Sequence, residues 1–194
     1  MKPYEIAIFF SGVERSLAGS AYNMRVDECK SAAYALKAYA GMEYGKYKDT
    51  YLRDVPVDVY TRYRENLPTP WRMRADHWYS EIERVHKGVE AWRKGDIETY
   101  GKLSFESGKS SIESWETGSP ELKAIYEIMI QTDGIYGGRF SGAGFKGCCM
   151  ALVDPSFKKE ISKRVTEKYL EMFPQYKETF SVHFCKSADG CKIK

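Results

Sequence analysis

Residues 4–11, YEIAIFFS, form an apolar and aromatic run of strand length, which reads as a buried strand. Beyond Gly12, the residues Tyr22, Val26, Cys29, Ala33, Leu36 and Ala40 recur at spacings of four and three. That is one apolar face of a helix, and Gly41 stands where a C-terminal cap belongs. Residues 42–70 are polar, aromatic and proline-containing and predict short helices with loop. A second long helix is predicted from about residue 74 to residue 94. Its stripe of Ala75, Trp78, Ile82, Val85, Val89 and Trp92 reads as core, both tryptophans included.

Punctuation residues divide the rest. KGD at 94–96 ends the second helix, and Asp96 can cap a third that runs through about residue 106. In GSPEL, Ser119 is a cap and Pro120 the first-turn residue of a helix reaching about residue 131. A glycine-rich loop follows, then a strand over residues 148–153. Asp154 and Pro155 open another helix, carrying Phe157, Ile161, Val165 and Tyr169. Residues 179–185, TFSVHFC, alternate as a strand, and CKIK at the end suits a short last one. The pattern predicts one α+β domain over residues 1–194, a small antiparallel sheet with helices packed on it. The order of its last third suits a split βαβ, ferredoxin-like layout.

Composition narrows the function classes. A net charge of +3 over 194 residues is too small to argue for nucleic acid or an anionic membrane. No apolar run approaches the roughly 20 residues of a membrane span, and the first residues lack the layout of a secretory signal. Cys29, Cys148, Cys149, Cys185 and Cys191 have no zinc-like spacing and read as reduced and mostly buried, in a cytoplasmic protein. His77, His86 and His183 are scattered and suggest neither a metal site nor a triad.

The stretch GIYGGRFSGAGFKG, residues 134–147, holds six glycines. Glycine at that density serves either positive φ or the close approach of a ligand to the backbone. One reading is a tight structural turn. The other is a loop of amides and cations around an anion, with Arg139 and Lys146 as its charges.

Three blocks carry a resemblance. GRFSGAGFKGCCMALV is similar to the third signature motif of the GHMP small-molecule kinases in its galactokinase form, a glycine–arginine pair followed by Gly-x-Gly-Phe-x-Gly-Cys and a strand. SLAGSAYNMRVDEC resembles the galactokinase segment with a tyrosine, then Asn and Arg, at the head of a helix. GKSSIESWETGSPEL resembles the serine-rich turn before a PEL helix. The long RADHWYSEIERVHKGVEAWRKGDIETYGKL block and the loop look closest to the galacturonic-acid kinase branch. Two positions depart from galactokinases: Lys146 replaces a glycine, and Val26 a frequent second arginine.

The resemblance implies the family's C-terminal domain. By it, Gly142, Ala143, Gly144, Phe145 and Gly147 form a loop lining the cleft toward the nucleotide phosphates or the reacting end of the sugar. Phe145 reads better as a packing anchor than as a ligand contact. Lys146 is either solvated or a substrate or phosphate contact, and Arg139 either bonds a neighbouring carbonyl or meets an anion. Tyr22 matches the sugar-contacting tyrosine, while Arg25 can equally pair with Asp27 or Glu28. KSSIES, residues 109–114, suits a helix start, where capping is a simpler role than anion binding.

The family's sugar-recognition segment, its Pro-x-x-x-Gly-Leu-Ser-Ser-Ser phosphate loop and its aspartate base would all lie upstream of the first residue. The expectation is therefore the C-terminal half of an ATP-dependent sugar 1-kinase acting on galactose or galacturonate, with ATP and Mg²⁺ used by the complete kinase. The half alone is expected to be inactive. Its partners would be the N-terminal half or a second copy, with a small-molecule sugar, no nucleic acid and no membrane. The alternative is a non-catalytic sugar- or partner-binding module.

Overall fold

The structure is a computed structural model that describes residues 1–13 and 20–190. It contains the strands β1 (Glu5–Phe10), β2 (Ile135–Phe140), β3 (Cys148–Val153) and β4 (Ser181–Cys185). The helices are α1 (Ser20–Tyr39), α2 (Val57–Tyr63), α3 (Thr69–Arg93), α4 (Ile97–Glu113), α5 (Pro120–Ile130) and α6 (Lys158–Met172), with short 3₁₀ turns between them. The chain folds as two compact units. One comprises residues 1–15, 87–109 and 117–194, and the other residues 16–86 and 110–116.

The first unit is built on an antiparallel sheet of order β2-β3-β1-β4. With the helices between β1 and β2 and α6 between β3 and β4, this is the ferredoxin-like βαββαβ arrangement expected of the sequence. Alternation decides the core. Ala7 and Phe9 of β1 and Cys149, Ala151 and Val153 of β3 point to one face and are buried. They pack against Leu122, Ile125 and Met129 of α5 and Ile161, Val165 and Tyr169 of α6, all fully buried. The Tyr169 hydroxyl donates to the Ser11 carbonyl at 2.6 Å. Ser119 accepts the Leu122 amide and Pro120 opens α5, as the local signals predict.

The glycine-rich stretch is not one loop. Gly137 and Gly138 lie inside β2, which pairs with β3 through a bulge between Ile135 and Gly137. Helix α4 also runs on to Glu113, well beyond residue 106, so KSSIES occupies its C-terminal part and not a helix start. Asp96 does cap it, accepting the Thr99 amide at 3.0 Å.

The second unit has its own core of Ala32, Ala33 and Leu36 from α1 with Leu52, Val55, Leu67 and Ala75. Tyr60 and Tyr79 stack at 3.9 Å between ring centroids, and Tyr60 donates to Asp76 at 2.5 Å. The predicted stripes are only partly core. On α1 Ala33 and Leu36 are buried, whereas Tyr22 and Val26 are exposed. On α3 Ala75 is buried and Trp78 half-buried against this core, but Ile82, Val85, Val89 and Trp92 are each more than a third exposed. Helical spacing identifies a shared face; it does not supply a neighbour to cover that face. Gly41 at φ +65° ends α1, with the Met42 amide reaching the Lys37 carbonyl.

Among the described cysteines Cys149 is buried, Cys29 and Cys148 are half-buried and Cys185 is exposed, all free thiols. The expectation of mostly buried cysteines therefore fails at Cys185. Cys191 and the suggested CKIK strand lie outside the described residues. No helix among the described residues is long and apolar enough to cross a membrane.

Candidate functional site

In the first unit, β2 and β3 form a hairpin whose connection is residues 141–147. Gly142, Gly144 and Gly147 have φ of +76°, +75° and +102°, the left-handed region that disfavours side chains. Gly144 needs its lack of a side chain for a second reason. A Cβ there would stand 2.8 Å from the Phe140 ring and 3.2 Å from the Thr117 hydroxyl. Phe140 is buried and set edge-on to Tyr126.

The loop is anchored through its carbonyls. Gly144 accepts the Gly118 amide at 2.8 Å, and Gly147 accepts the Ser11 amide at 2.9 Å and the Ser11 hydroxyl at 2.7 Å. The amides of residues 142–147 are used differently. Among the described residues none of them makes a hydrogen bond of ordinary geometry to a protein acceptor. A glycine-rich turn with fixed carbonyls leaves room for an anion to approach the backbone.

Gly142, Ala143 and Lys146 are exposed, Phe145 is half-buried, and Gly144 and Gly147 are buried. Lys146 also acts electrostatically on Glu121, in the first turn of α5. Burial pushes the Glu121 carboxyl up. Its own backbone amide, the Ser119 hydroxyl, the Tyr176 hydroxyl at 3.1 Å and the Lys146 charge together outweigh that and hold it below its ordinary value. Arg139 lies in β2 opposite Met150 and donates to the Ser107 hydroxyl of α4, so one of its bonds goes to a side chain of the same unit.

Tyr22 belongs to the second unit. It stands in the first turns of α1, exposed, and its side chain forms no hydrogen bond or ring contact with a described residue. One turn later, Arg25 does pair with Glu28, at 3.1 Å, and not with Asp27. It also donates through Nε to the Trp115 carbonyl at 2.7 Å and lies 3.4 Å from Glu116.

The sequence reading missed a second arginine that shares these carboxylates. Arg74 of α3 is almost wholly buried and donates to Glu28 at 2.5 Å, to the Ser114 carbonyl and to Glu116. Two guanidinium groups and two carboxylates thus clasp residues 114–116, and His77 adds a hydrogen bond to Ser110 at 2.8 Å and a ring contact with Trp115. Glu116 sits at φ +53°, the single non-glycine in the left-handed region among the described residues. Arg74 lies 40 to 46 positions from its partners, so no spacing signal marks it.

Comparison with known proteins finds relatives over nearly the whole chain. The family model described as GHMP kinases C terminal matches residues 89–171. The galacturonokinase of Arabidopsis thaliana is 36% identical over 99% of this chain and 46% of its own length. The galactokinase of Roseiflexus sp. (strain RS-1) is 33% identical over 95% of the chain and 45% of its length, and that of Homo sapiens 30% over 97% and 43%. The chain therefore spans a little under half the length of these curated relatives. Among solved structures, Lactococcus lactis galactokinase complexed with galactose superposes with a TM-score of 0.80 at 24% identity, over 94% of this chain and 45% of that one. Mevalonate kinase from L. major in complex with R-mevalonate gives 0.51 at 15% identity, over 97% and 44%.

Proposed function

We propose, from the premise that this chain belongs to the GHMP kinases and carries their C-terminal domain, that it is the C-terminal half of an ATP-dependent sugar kinase. In this reading the kinase phosphorylates the anomeric hydroxyl of galactose or, better, galacturonate. The observation that carries it is the loop of residues 142–147, with Gly142, Gly144 and Gly147 at positive φ and Lys146 exposed among them. Phosphoryl transfer is catalysed mainly by placed positive charge around the phosphate oxygens. ATP supplies the transferred group; the loop amides hold its oxygens, and the glycines keep side chains out of their way.

The residues present fit phosphate better than metal. Among the described residues no group of three His, Cys, Asp or Glu is arranged to hold a metal ion. The Mg²⁺ ligands, the aspartate base and most nucleotide contacts belong in this reading to the amino-terminal half, which is the principal partner, with self-association as the alternative. Tyr22 donates its hydroxyl to a ring hydroxyl of the sugar. By the resemblance Lys146 stands where galactokinases carry a glycine, and in this reading, which the name of the galacturonokinase relative supports, it meets the substrate carboxylate. The compartment that suits such a kinase is the cytoplasm.

The test is a coupled kinase assay on both sugars, with the chain alone and with a GHMP amino-terminal half added. Turnover only in the presence of that half is expected. Conversion by the chain alone would overturn the assignment of base and metal ligands to the other half. Sugar binding with no turnover in either case would favour the non-catalytic binding module.

A further inference from the structure

Tyr22 stands near the first described residue of α1, Ser20. The first turn of an α-helix lacks intrahelical partners for its amides and frays unless something holds it. Among the described residues the side chains of Tyr22, Asn23 and Met24 make no hydrogen bond or ion pair with another segment. Arg25 is the first described side chain of α1 tied to another segment, through the Trp115 carbonyl at 2.7 Å and Glu116 at 3.4 Å. Those partners do not drift, because Arg74, almost wholly buried, holds Ser114, Glu116 and the shared Glu28 from the other side.

We propose that Arg25 is a positioning residue for Tyr22, locking the turn of α1 that carries the phenol onto residues 114–116 so that the hydroxyl meets the sugar. This rests on the reading that Tyr22 contacts sugar. Residues 22 and 25 are one helical turn apart and share a face. With Arg25 fixed at three points, the arc open to Tyr22 narrows to its own side-chain rotations. A lysine at position 25 keeps the charge but cannot hold a carbonyl and a carboxylate in one planar fork.

The experiment is a double-mutant cycle in the complete kinase, with galacturonate and galactose as probes, on Tyr22→Phe, Arg25→Lys and the double variant. A contact made equally in ground and transition states appears in KM and not in kcat. Tyr22→Phe is expected to raise the sugar KM about threefold to tenfold with kcat nearly unchanged. Arg25→Lys should do the same in the wild-type background and nothing further in the Tyr22→Phe background. Hydrogen exchange on the chain itself supplies a readout without activity: Arg25→Lys should speed exchange at the amides of residues 24–28 and leave the sheet unchanged. If Arg25→Lys fails to fold, Glu116→Gln replaces it, since it weakens one of the three holds from a half-exposed side chain.

Additive losses, or a loss in Arg25→Lys that survives in the Tyr22→Phe background, would overturn the positioning role while leaving Tyr22 as a sugar contact. An unchanged KM in Tyr22→Phe would overturn the sugar contact itself, and the inference with it.

Discussion

Gly101 of α4 and Gly137 of β2 meet backbone against backbone. A Cβ on Gly101 would lie 2.0 Å from the Tyr136 carbonyl oxygen, and one on Gly137 would lie 2.0 Å from the Gly101 carbonyl oxygen. The contact lets a helix ride directly on a strand and brings Ser107 of that helix within reach of Arg139.

Gly101→Ala should therefore destabilise, although alanine in a helix interior ordinarily gains up to about 1 kcal/mol over glycine. The obstructing atoms are backbone and cannot rotate away. Overpacking of this kind costs about 1–3 kcal/mol, and Gly137→Ala should match it. The denaturant midpoint of each variant is the measurement; an unchanged or raised midpoint in either would mean that helix and strand separate freely.

Arg74→Met should be among the most damaging single changes in the second unit. It removes the more buried of the two cations that Glu28 and Glu116 share and takes a donor from the Ser114 carbonyl. Breaking a buried ion pair from one side costs about 3–5 kcal/mol. Adding Glu28→Gln and Glu116→Gln should recover part of the loss, because the stranded charges go with them. Thermal unfolding of the single and triple variants measures this, and a triple variant no more stable than the single one would argue against the charge explanation.

The acid limb of stability should carry a contribution from Glu121. Its carboxyl is held below the ordinary 4.5 by hydrogen bonds and the Lys146 charge acting against burial. A carboxyl so lowered stabilises the fold at pH above its unfolded value, and that stability is lost as pH falls through the lowered folded value. The stability gap between wild type and Glu121→Gln should be full above pH 4.5 and close below it. A gap independent of pH between 6 and 3 would show that the carboxylate charge is not what matters.

Lys146→Gly should alter sugar preference in the complete kinase. A charged hydrogen bond is worth about 1.5–3 kcal/mol, on the order of tenfold to a hundredfold in kcat/KM. That loss is expected on galacturonate, with galactose spared. Equal loss on both sugars would assign the lysine to the phosphates, and no loss on either would assign it to the solvated surface.

Signals that depend on a few neighbours along the chain were legible in the residues alone. Ser119 and Pro120 start α5, Asp96 caps α4, Gly41 ends α1, and residues 148–153 form a strand, because a cap or a strand run is decided within about four residues. The glycine pattern of residues 142–147 was legible as a special turn for the same reason: positive φ is a local demand.

What depended on distant partners was not legible. Gly137 and Gly138 looked like loop and proved to be strand, since their use is the approach of α4 and the pairing with β3. The stripe of α3 looked like core throughout, yet Ile82, Val85, Val89 and Trp92 are each more than a third exposed. The clasp of Arg25 and Arg74 on residues 114–116 joins side chains many turns apart, and no spacing signal marks Arg74. Sequence determines which face a residue takes and where an element begins or ends, because those are set by bonded geometry. Which faces find partners, and which carbonyls and carboxylates converge on one guanidinium, is decided when the chain closes on itself, because burial and ion pairing act between atoms whatever their separation along the chain.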